Sequence, residues 1–282
     1  MAHGGARSPA ASADAGGDAR LGCSGDRAPA GAVRRAPPGR AGRVLFPVVS
    51  GSGGAGKSTV SVLSALIAQR MGYNTLLLDF DLQFGDAPAL MGVQNPLAVD
   101  DVLAVPSRLD QLRSDGRMPA LLAAPRHLED SEAVVERAPQ LLDQLTARFD
   151  VVVANTGAAW AEQHALLLER SSKALFLIDQ RPSSLRACQH ALDLCARCGI
   201  ATGPFLYAVN RCSKNALFTS IDVSCSLRGA HVFELKDGGG EGGGAAGRGA
   251  SVRSAGVEER FVREPRARAV RACCRAIGAR QP

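Results

Sequence analysis

The chain has 282 residues, of which 46% are apolar and 21% charged, and its formal net charge is +6. This length can bury the core of one substantial α/β domain with tails, or of two small domains at most. Residues 1–42 carry six Arg against three Asp and residues 238–282 carry nine Arg against four Glu, so residues 43–237 have a net charge of −2. A slightly acidic body offers no evident nucleic-acid-binding face.

The eight cysteines lack the paired spacing of a zinc site and the density of a small secreted scaffold, which favours a reduced, cytoplasmic protein. Cys195 and Cys198 have C-x-x-C spacing, but they close a helical run, so packing is favoured over redox or metal use. No apolar run reaches the roughly 18 residues of a membrane-spanning helix. The N-terminus lacks the apolar core of a secretion signal, and a disordered leader is favoured over a transit peptide.

Composition divides the chain into three parts. Residues 1–42 hold almost no large apolar side chains, which predicts a disordered leader. Residues 43–237 form the candidate domain. Residues 238–282 are rich in Gly and Arg, which predicts a disordered tail. A basic helix at 260–277 that binds a membrane surface is the less favoured alternative. Because no closing packed helix is visible, an out-of-frame origin of this tail is a further hypothesis.

Strand and helix patterns alternate along the candidate domain. Buried strands are predicted at 44–49, 75–79, 119–124, 150–155, 173–179, 205–210 and 230–235. Helices are predicted at 59–71, 99–104, 108–114, 131–149, 158–170 and 183–198. This alternation predicts an α/β fold with a parallel, doubly wound sheet flanked by helices, and a ligand site at the carboxyl ends of the strands.

The stretch 51–59, Gly-Ser-Gly-Gly-Ala-Gly-Lys-Ser-Thr, fits the phosphate-loop pattern G-x-x-x-x-G-K-[ST] between the first strand and the first helix. Glycines let backbone N–H groups approach a triphosphate that a Cβ would hold away. Lys57 is expected to reach the β- and γ-phosphates, and the Ser58 hydroxyl to bind Mg²⁺. A Gly/Ser linker is the less favoured alternative.

Further polar residues follow later strands. Asp79 and Asp81 end the second strand, where a simple turn is the weaker alternative to a role in catalysis. The stretch 180–186, Gln-Arg-Pro-Ser-Ser-Leu-Arg, leaves two interpretations open, contact with nucleotide or partner and a helix cap at Ser183. The histidines at 127, 164, 190 and 231 stand singly and are expected to be surface or core residues.

Four stretches together, 51–59, 76–86, 149–157 and 209–211, resemble the ParA/MinD group of deviant phosphate-loop ATPases, part of the SIMIBI class of P-loop NTPases. Within that group, 79–86, Asp-Phe-Asp-Leu-Gln-Phe-Gly-Asp, is most similar to the CpaE/TadZ branch, which localises pilus-assembly machinery at a cell pole. Relatives of that branch carry the label of septum-site-determining protein. The resemblance spans about residues 43–237, and residues 1–42 are not expected to form the receiver-like N-terminal domain that is common in the branch.

The resemblance implies ATP and Mg²⁺ as cofactors and assigns roles by position. The nucleotide would be held by Gly53, Gly54, Ala55, Gly56, Lys57, Ser58, Thr59 and, at the adenine, Asn210. The metal would be bound by Ser58 with Asp79 near it. Lys57 and Asp81 are the implied catalytic residues, Asp81 orienting the attacking water.

Two positions depart from the family pattern. Ser52 stands where most members have a signature lysine, and Asn155 stands where they have a metal-associated aspartate. The loss of such electrostatic contacts lowers the rate of hydrolysis more than it lowers the affinity for the nucleotide, because many contacts bind the phosphates. We therefore expect a slow ATPase and nucleotide-dependent homodimer in the cytoplasm that positions a pilus, secretion or division complex at a pole or septum. A nucleotide-independent scaffold and a chromosome- or plasmid-partition ATPase are the alternatives.

Overall fold

The computed structural model describes residues 43–213, 216, 218–236, 271 and 275. The predictions of a disordered leader at 1–42 and of a disordered, basic or out-of-frame tail at 238–282 concern stretches that lie outside the described residues, apart from positions 271 and 275.

Seven strands and seven α-helices make up the described part. The strands are β1 (Val44–Val49), β2 (Thr75–Phe80), β3 (Ala120–Leu122), β4 (Val151–Thr156), β5 (Leu175–Asp179), β6 (Leu206–Cys212) and β7 (Val232–Lys236). The helices are α1 (Lys57–Arg70), α2 (Ala87–Met91), α3 (Val99–Ala104), α4 (Ser131–Arg148), α5 (Glu162–Arg170), α6 (Pro182–Arg197) and α7 (Ser220–Ser226). Short 3₁₀ turns occupy Pro106–Gln111 and Leu128–Asp130.

All seven strands lie in one parallel sheet with the order β3-β2-β4-β1-β5-β6-β7. From the central strand β1, the chain runs first toward the β3 edge and then returns toward the β7 edge. The loop after β1 therefore leaves the sheet where the winding direction changes, which is where open parallel sheets bind ligands.

The sheet is buried on both faces because helices cover both of them, and alternate side chains of each strand point to opposite sides. Phe46 and Val48 pack with α1 and α2 on one face, whereas Leu45 and Val49 pack on the face that α3 to α7 cover. This confirms the predicted parallel, doubly wound α/β fold. It also explains why the strand sequences are continuously apolar rather than alternating.

Most element bounds agree with the sequence expectations, and the differences are local. The first helix begins at Lys57 rather than at residue 59, because Gly56 already serves as its N-cap. The helix predicted at 108–114 is a 3₁₀ turn at Pro106–Gln111, preceded by Val105 in a non-helical conformation. Helices α2 and α7, of five and seven residues, were not predicted.

The two cysteines of the C-x-x-C pair differ in exposure. Cys195, in α6, is 1% exposed and packs into the hydrophobic core, whereas Cys198, the C-cap of α6, is exposed. Among the described residues, no group of three His, Cys, Asp or Glu side chains is placed to hold a metal ion. No described helix has both the length and the apolar character needed to cross a membrane.

Candidate functional site

Five strands deliver the candidate residues to one edge of the sheet. The phosphate loop, residues 51–59, follows β1, and the switch loop, residues 81–86, follows β2. Asn155 lies near the end of β4, and Asn210 pairs in register with Asp179 at the end of β5. Because parallel strands end at the same edge, residues far apart in sequence meet here.

The phosphate loop is held in a conformation that requires glycine. Gly54 and Gly56 have φ values of +74° and +93°, in the left-handed region that other residues rarely adopt. At Gly51 the obstacle is packing, since an added Cβ would clash with the backbone carbonyl group of Ala187 in α6. The loop therefore wraps tightly around the start of α1, where backbone N–H groups lack helical partners.

Lys57 is the first residue of α1 and is only 7% exposed. Its Nζ donates a 3.2 Å hydrogen bond to Ser50 Oγ, and the Ser50 hydroxyl donates to the Ser52 carbonyl at 2.6 Å. Burial lowers the pKa of Lys57, while the carboxylates of Asp81 and Asp86 oppose that shift. Burial removes most of the hydration of this ammonium group. An anion bound in the glycine loop above it would compensate for that loss.

Asn210 joins the sheet edge to the phosphate loop. Its Nδ2 donates a 2.8 Å hydrogen bond to the Ala55 carbonyl and would clash with a Cβ added at Gly56. Its Oδ1 is buried and has no partner within the described chain. A register shift in the β6–β7 pairing and the positive φ of Arg211, +56°, bend the strand just beyond Asn210.

Asp79 is fully buried at the end of β2. The Asn155 amide donates to Oδ1 at 2.9 Å, and the backbone N–H of Ala87, the first residue of α2, donates to Oδ2 at 2.9 Å. Desolvation raises the pKa of Asp79 to about 6, although these hydrogen bonds oppose the rise. Asp79 therefore anchors the segment that follows the switch loop.

Asp81 is half-buried at the start of the switch loop. Its carboxylate would lie 3.0 Å from a Cβ added at Gly157, and it accepts a 3.3 Å hydrogen bond from the Phe84 backbone N–H. The negative charge of Asp81 also raises the pKa of Lys57, so the two residues implied in catalysis interact electrostatically. Phe84 is 77% exposed at the tip of the same loop.

Sequence reasoning missed the aromatic support below the phosphate loop. Trp160, the single tryptophan, donates a 2.8 Å hydrogen bond from Nε1 to the Ser50 carbonyl. His164 stacks on it with ring centroids 5.2 Å apart, and Nε2 of His164 donates to the Gly157 carbonyl at 3.3 Å. Burial lowers the pKa of His164. No sequence pattern marks a lone Trp, so only the fold reveals this contact.

The start of α6 forms the other wall of the phosphate loop. Ser52 Oγ lies 3.1 Å from Ser184 Oγ, and Ser184 Oγ also accepts from the Asp179 backbone N–H at 3.2 Å. The N-cap of α6 is Arg181, without a side-chain cap, so Ser183 does not serve as the helix cap. The side chain of Gln180 contacts the loop after β6, where its Nε2 donates a 2.6 Å hydrogen bond to the Phe218 carbonyl.

These residues fit a phosphate-bearing nucleotide. The glycine cradle leaves no room for side chains at Gly51 and Gly56, Lys57 supplies a buried cation, and the free Oδ1 of Asn210 is an unused acceptor. For a divalent cation, Ser58 at the second position of α1 supplies a hydroxyl beside the cradle. Both oxygens of Asp79 already accept hydrogen bonds from the protein.

Comparison with known proteins places this geometry in a family context. The ParA family model, described as NUBPL iron-transfer P-loop NTPase, matches residues 43–153. The chain is 28% identical over 150 residues to septum site-determining protein MinD of Helicobacter pylori, covering 51% of this chain and 55% of that protein. It is 30% identical over 189 residues to mouse cytosolic Fe-S cluster assembly factor NUBP2, covering 61% of this chain and 67% of that protein.

Among solved structures, septum site-determining protein MinD of Pyrococcus horikoshii OT3, complexed with Mg-ADP, superposes with a TM-score of 0.63 at 18% identity. The match covers 84% of this chain and 98% of that structure. At this identity the likeness concerns the fold. The chain spans about half the length of the Helicobacter pylori MinD that it matches.

Proposed function

Because the chain belongs to the ParA/MinD-type P-loop NTPase family, we propose that it binds ATP with Mg²⁺ at the phosphate loop and acts as a nucleotide-dependent switch. The observation that carries this proposal is the phosphate loop itself, closed by Asn210 and backed by the buried ammonium group of Lys57. The Pyrococcus horikoshii MinD structure, complexed with Mg-ADP, supports the choice of ligand.

The phosphates would be held by backbone N–H groups of residues 53–59 and by Lys57, and Asn210 Oδ1 would accept a hydrogen bond from the base. Ser58 would bind Mg²⁺ directly, while Asp79 would act through a water of the metal, since its own oxygens are already hydrogen-bonded. When bound, the metal would neutralise charge on the phosphates. Asp81, half-buried opposite Lys57, would orient the attacking water.

Turnover would be slow. Ser52 contributes a neutral hydroxyl that is engaged with Ser184, and Asn155 uses its amide to bind Asp79. Each missing electrostatic contact costs about 10²- to 10³-fold in rate, whereas binding depends on many contacts. A slowly hydrolysing protein spends most of its cycle in the nucleotide-bound form, as a switch requires.

The moving part of the switch would be the switch loop, residues 81–86. It joins Asp81 at the phosphates to exposed Phe84 and to α2, so ordering it around a nucleotide would alter an exposed surface. We propose that the chain is a CpaE/TadZ-like member of the family, in which ATP would promote a homodimer that positions a pilus, secretion or septum complex. Cytoplasmic protein would then be recruited to a pole or septum.

The decisive experiment is titration of the full chain with ATP and ADP in Mg²⁺, followed by calorimetry and by emission of Trp160, whose indole N–H contacts Ser50. Lys57→Ala is expected to weaken binding of both nucleotides at least about 10-fold. Arg197→Ala is the matched control, since Arg197 lies at the far end of α6 and pairs with Asp193. Equal affinity of wild type and Lys57→Ala would exclude the proposal.

Sedimentation of the same samples tests the dimer, which is expected with ATP and absent with ADP. A second candidate, a scaffold that needs no nucleotide, is favoured by one observation: the Asn155–Asp79 pair satisfies buried groups that a metal site would otherwise engage. A wild-type chain that binds neither nucleotide yet keeps one oligomeric state throughout would select the scaffold.

A further inference from the structure

Arg181 brings a second positive charge to the phosphate loop. It is the N-cap of α6, and its Nη2 donates a 3.3 Å hydrogen bond to the Gly53 carbonyl. Its side chain is 58% exposed, in contrast to Lys57, which approaches the loop from the buried side. The loop is therefore flanked by one cation below and one at its rim.

A buried carboxylate fixes the direction of this guanidinium. Asp179 Oδ2 accepts a 2.8 Å hydrogen bond from Arg181 Nε and a second from Nη2, while Oδ1 accepts from the Arg181 backbone N–H at 3.1 Å. Among the described residues, Nη1 has no partner. A guanidinium fixed along one edge keeps the donors of the other edge available for an anion.

The neutral position in the loop lies beside this cation. Ser52 faces α6, where its Oγ lies 3.1 Å from Ser184 Oγ, three residues after Arg181. Ser52 carries no positive charge, but Arg181, at the start of α6, places one at the same rim of the loop. We propose that Arg181 binds the terminal phosphate of ATP held by its own chain, in place of a charged residue at position 52.

This inference rests on the nucleotide site proposed above and adds a residue to it. The terminal phosphate carries charge that ADP lacks at that position, so a cation at the rim distinguishes ATP from ADP. If Arg181 had a purely structural role and only linked Asp179 to Gly53, its removal would lower the affinities for ATP and ADP by the same factor. The ratio of the two affinities therefore separates the two roles.

The test compares the ATP and ADP affinities of full-length wild type, Arg181→Ala and Arg197→Ala by calorimetry in Mg²⁺. We expect Arg181→Ala to weaken ATP about 10- to 100-fold, the range of a charge-assisted hydrogen bond, and ADP by less than about twofold. Arg197→Ala, at the other end of α6, should leave both unchanged. Equal losses of ATP and ADP affinity for Arg181→Ala would overturn the inference.

Removing Arg181 alone leaves the buried Asp179 carboxylate unpaired, which threatens folding. The double variant Asp179→Asn/Arg181→Ala removes both charges and is expected to show the same selective loss of ATP. Mixing Arg181→Ala with Lys57→Ala subunits tests whether the arginine acts within its own chain. Recovery of ATP binding in the mixture would show action across a dimer and contradict the proposal.

The outcomes separate this inference from the proposed function. If wild type binds neither nucleotide, the nucleotide site itself fails. If wild type binds both and Lys57→Ala binds neither, while Arg181→Ala retains the full preference for ATP, only the role of Arg181 fails.

Discussion

The side-chain amide of Asn155 donates a 2.9 Å hydrogen bond to Oδ1 of Asp79, and both residues are fully buried. Asn155 Oδ1 in turn accepts a 3.4 Å hydrogen bond from Ser61 Oγ in α1. The amide thus links β4, β2 and α1 behind the phosphate loop. A carboxylate at position 155 would place two buried acids in contact, so the amide at this position contributes to the stability of the fold.

We expect Asn155→Asp to lower the free energy of unfolding by about 3 kcal/mol at pH 7, because two adjacent buried carboxylates repel and lose a hydrogen bond. Burial already raises the folded-state pKa of Asp79 to about 6, and a second acid raises the pKa of the pair further. A raised acid pKa stabilises the fold below the unfolded value of about 4 and loses that contribution as pH rises. The deficit should therefore shrink from pH 7 to pH 5.

Urea unfolding of wild type, Asn155→Asp and Asn155→Ala, with EDTA or with Mg²⁺, measures this effect. Mg²⁺ should recover part of the loss in Asn155→Asp and none in Asn155→Ala, which has no second charge. A deficit that stays constant with pH would show that repulsion is not its cause.

A second prediction concerns Gly56 and Asn210. Gly56→Ala is expected to destabilise the fold by at least about 1 kcal/mol more than Gly54→Ala. Both glycines have positive φ, but only at Gly56 would the new Cβ clash with a neighbour, Asn210 Nδ2. Thermal or urea unfolding of the two variants makes the comparison, with Gly54→Ala as the control for backbone strain.

A double-mutant cycle tests the contact directly. Asn210→Ala should cost less stability in the Gly56→Ala background than in wild type, because it removes the atom that the new methyl group meets. Strict additivity of the two single changes would mean that Asn210 and residue 56 do not interact.

Proteolysis should report the state of the switch loop. Phe84 is 77% exposed, so chymotrypsin is expected to cleave after it in the nucleotide-free chain. ATP with Mg²⁺ should slow this cleavage several-fold by ordering residues 81–86, and should not do so in Lys57→Ala. Mass spectrometry of the fragments identifies the site; protection that is unchanged by Lys57→Ala would argue against a nucleotide-driven switch.

The cysteines of α6 and of its C-cap, Cys198, should differ sharply in reactivity. Burial raises the pKa of the Cys188 thiol to about 12 and that of Cys195 to about 11, whereas Cys198 is exposed. At pH 8 iodoacetamide should modify Cys198 within minutes and leave the other two protected until urea unfolds the chain. Peptide mapping checks this. Equal labelling of Cys195 and Cys198 would show that α6 does not hold the packing described.

Much of this protein is determined by sequence patterns that act locally. The continuous apolar runs around Leu45 and Leu77, separated by helical spacing, specify a parallel sheet buried on both faces. The phosphate-loop pattern at 51–59 specifies its own turn, since Gly54 and Gly56 adopt conformations that other residues avoid. These features depend on residues close in the chain, so they can be inferred without coordinates.

Other features required the tertiary structure. The contacts of Trp160 with Ser50, of Asn210 with Ala55 and of Arg181 with Gly53 join residues 110, 155 and 128 positions apart. No periodicity encodes such pairs, because they depend on which strands become neighbours and on how each strand bends at its end. The sequence by itself determined that a glycine turn of the phosphate-loop pattern follows β1, whereas the packing of β5, β6 and α6 decided which side chains surround that turn.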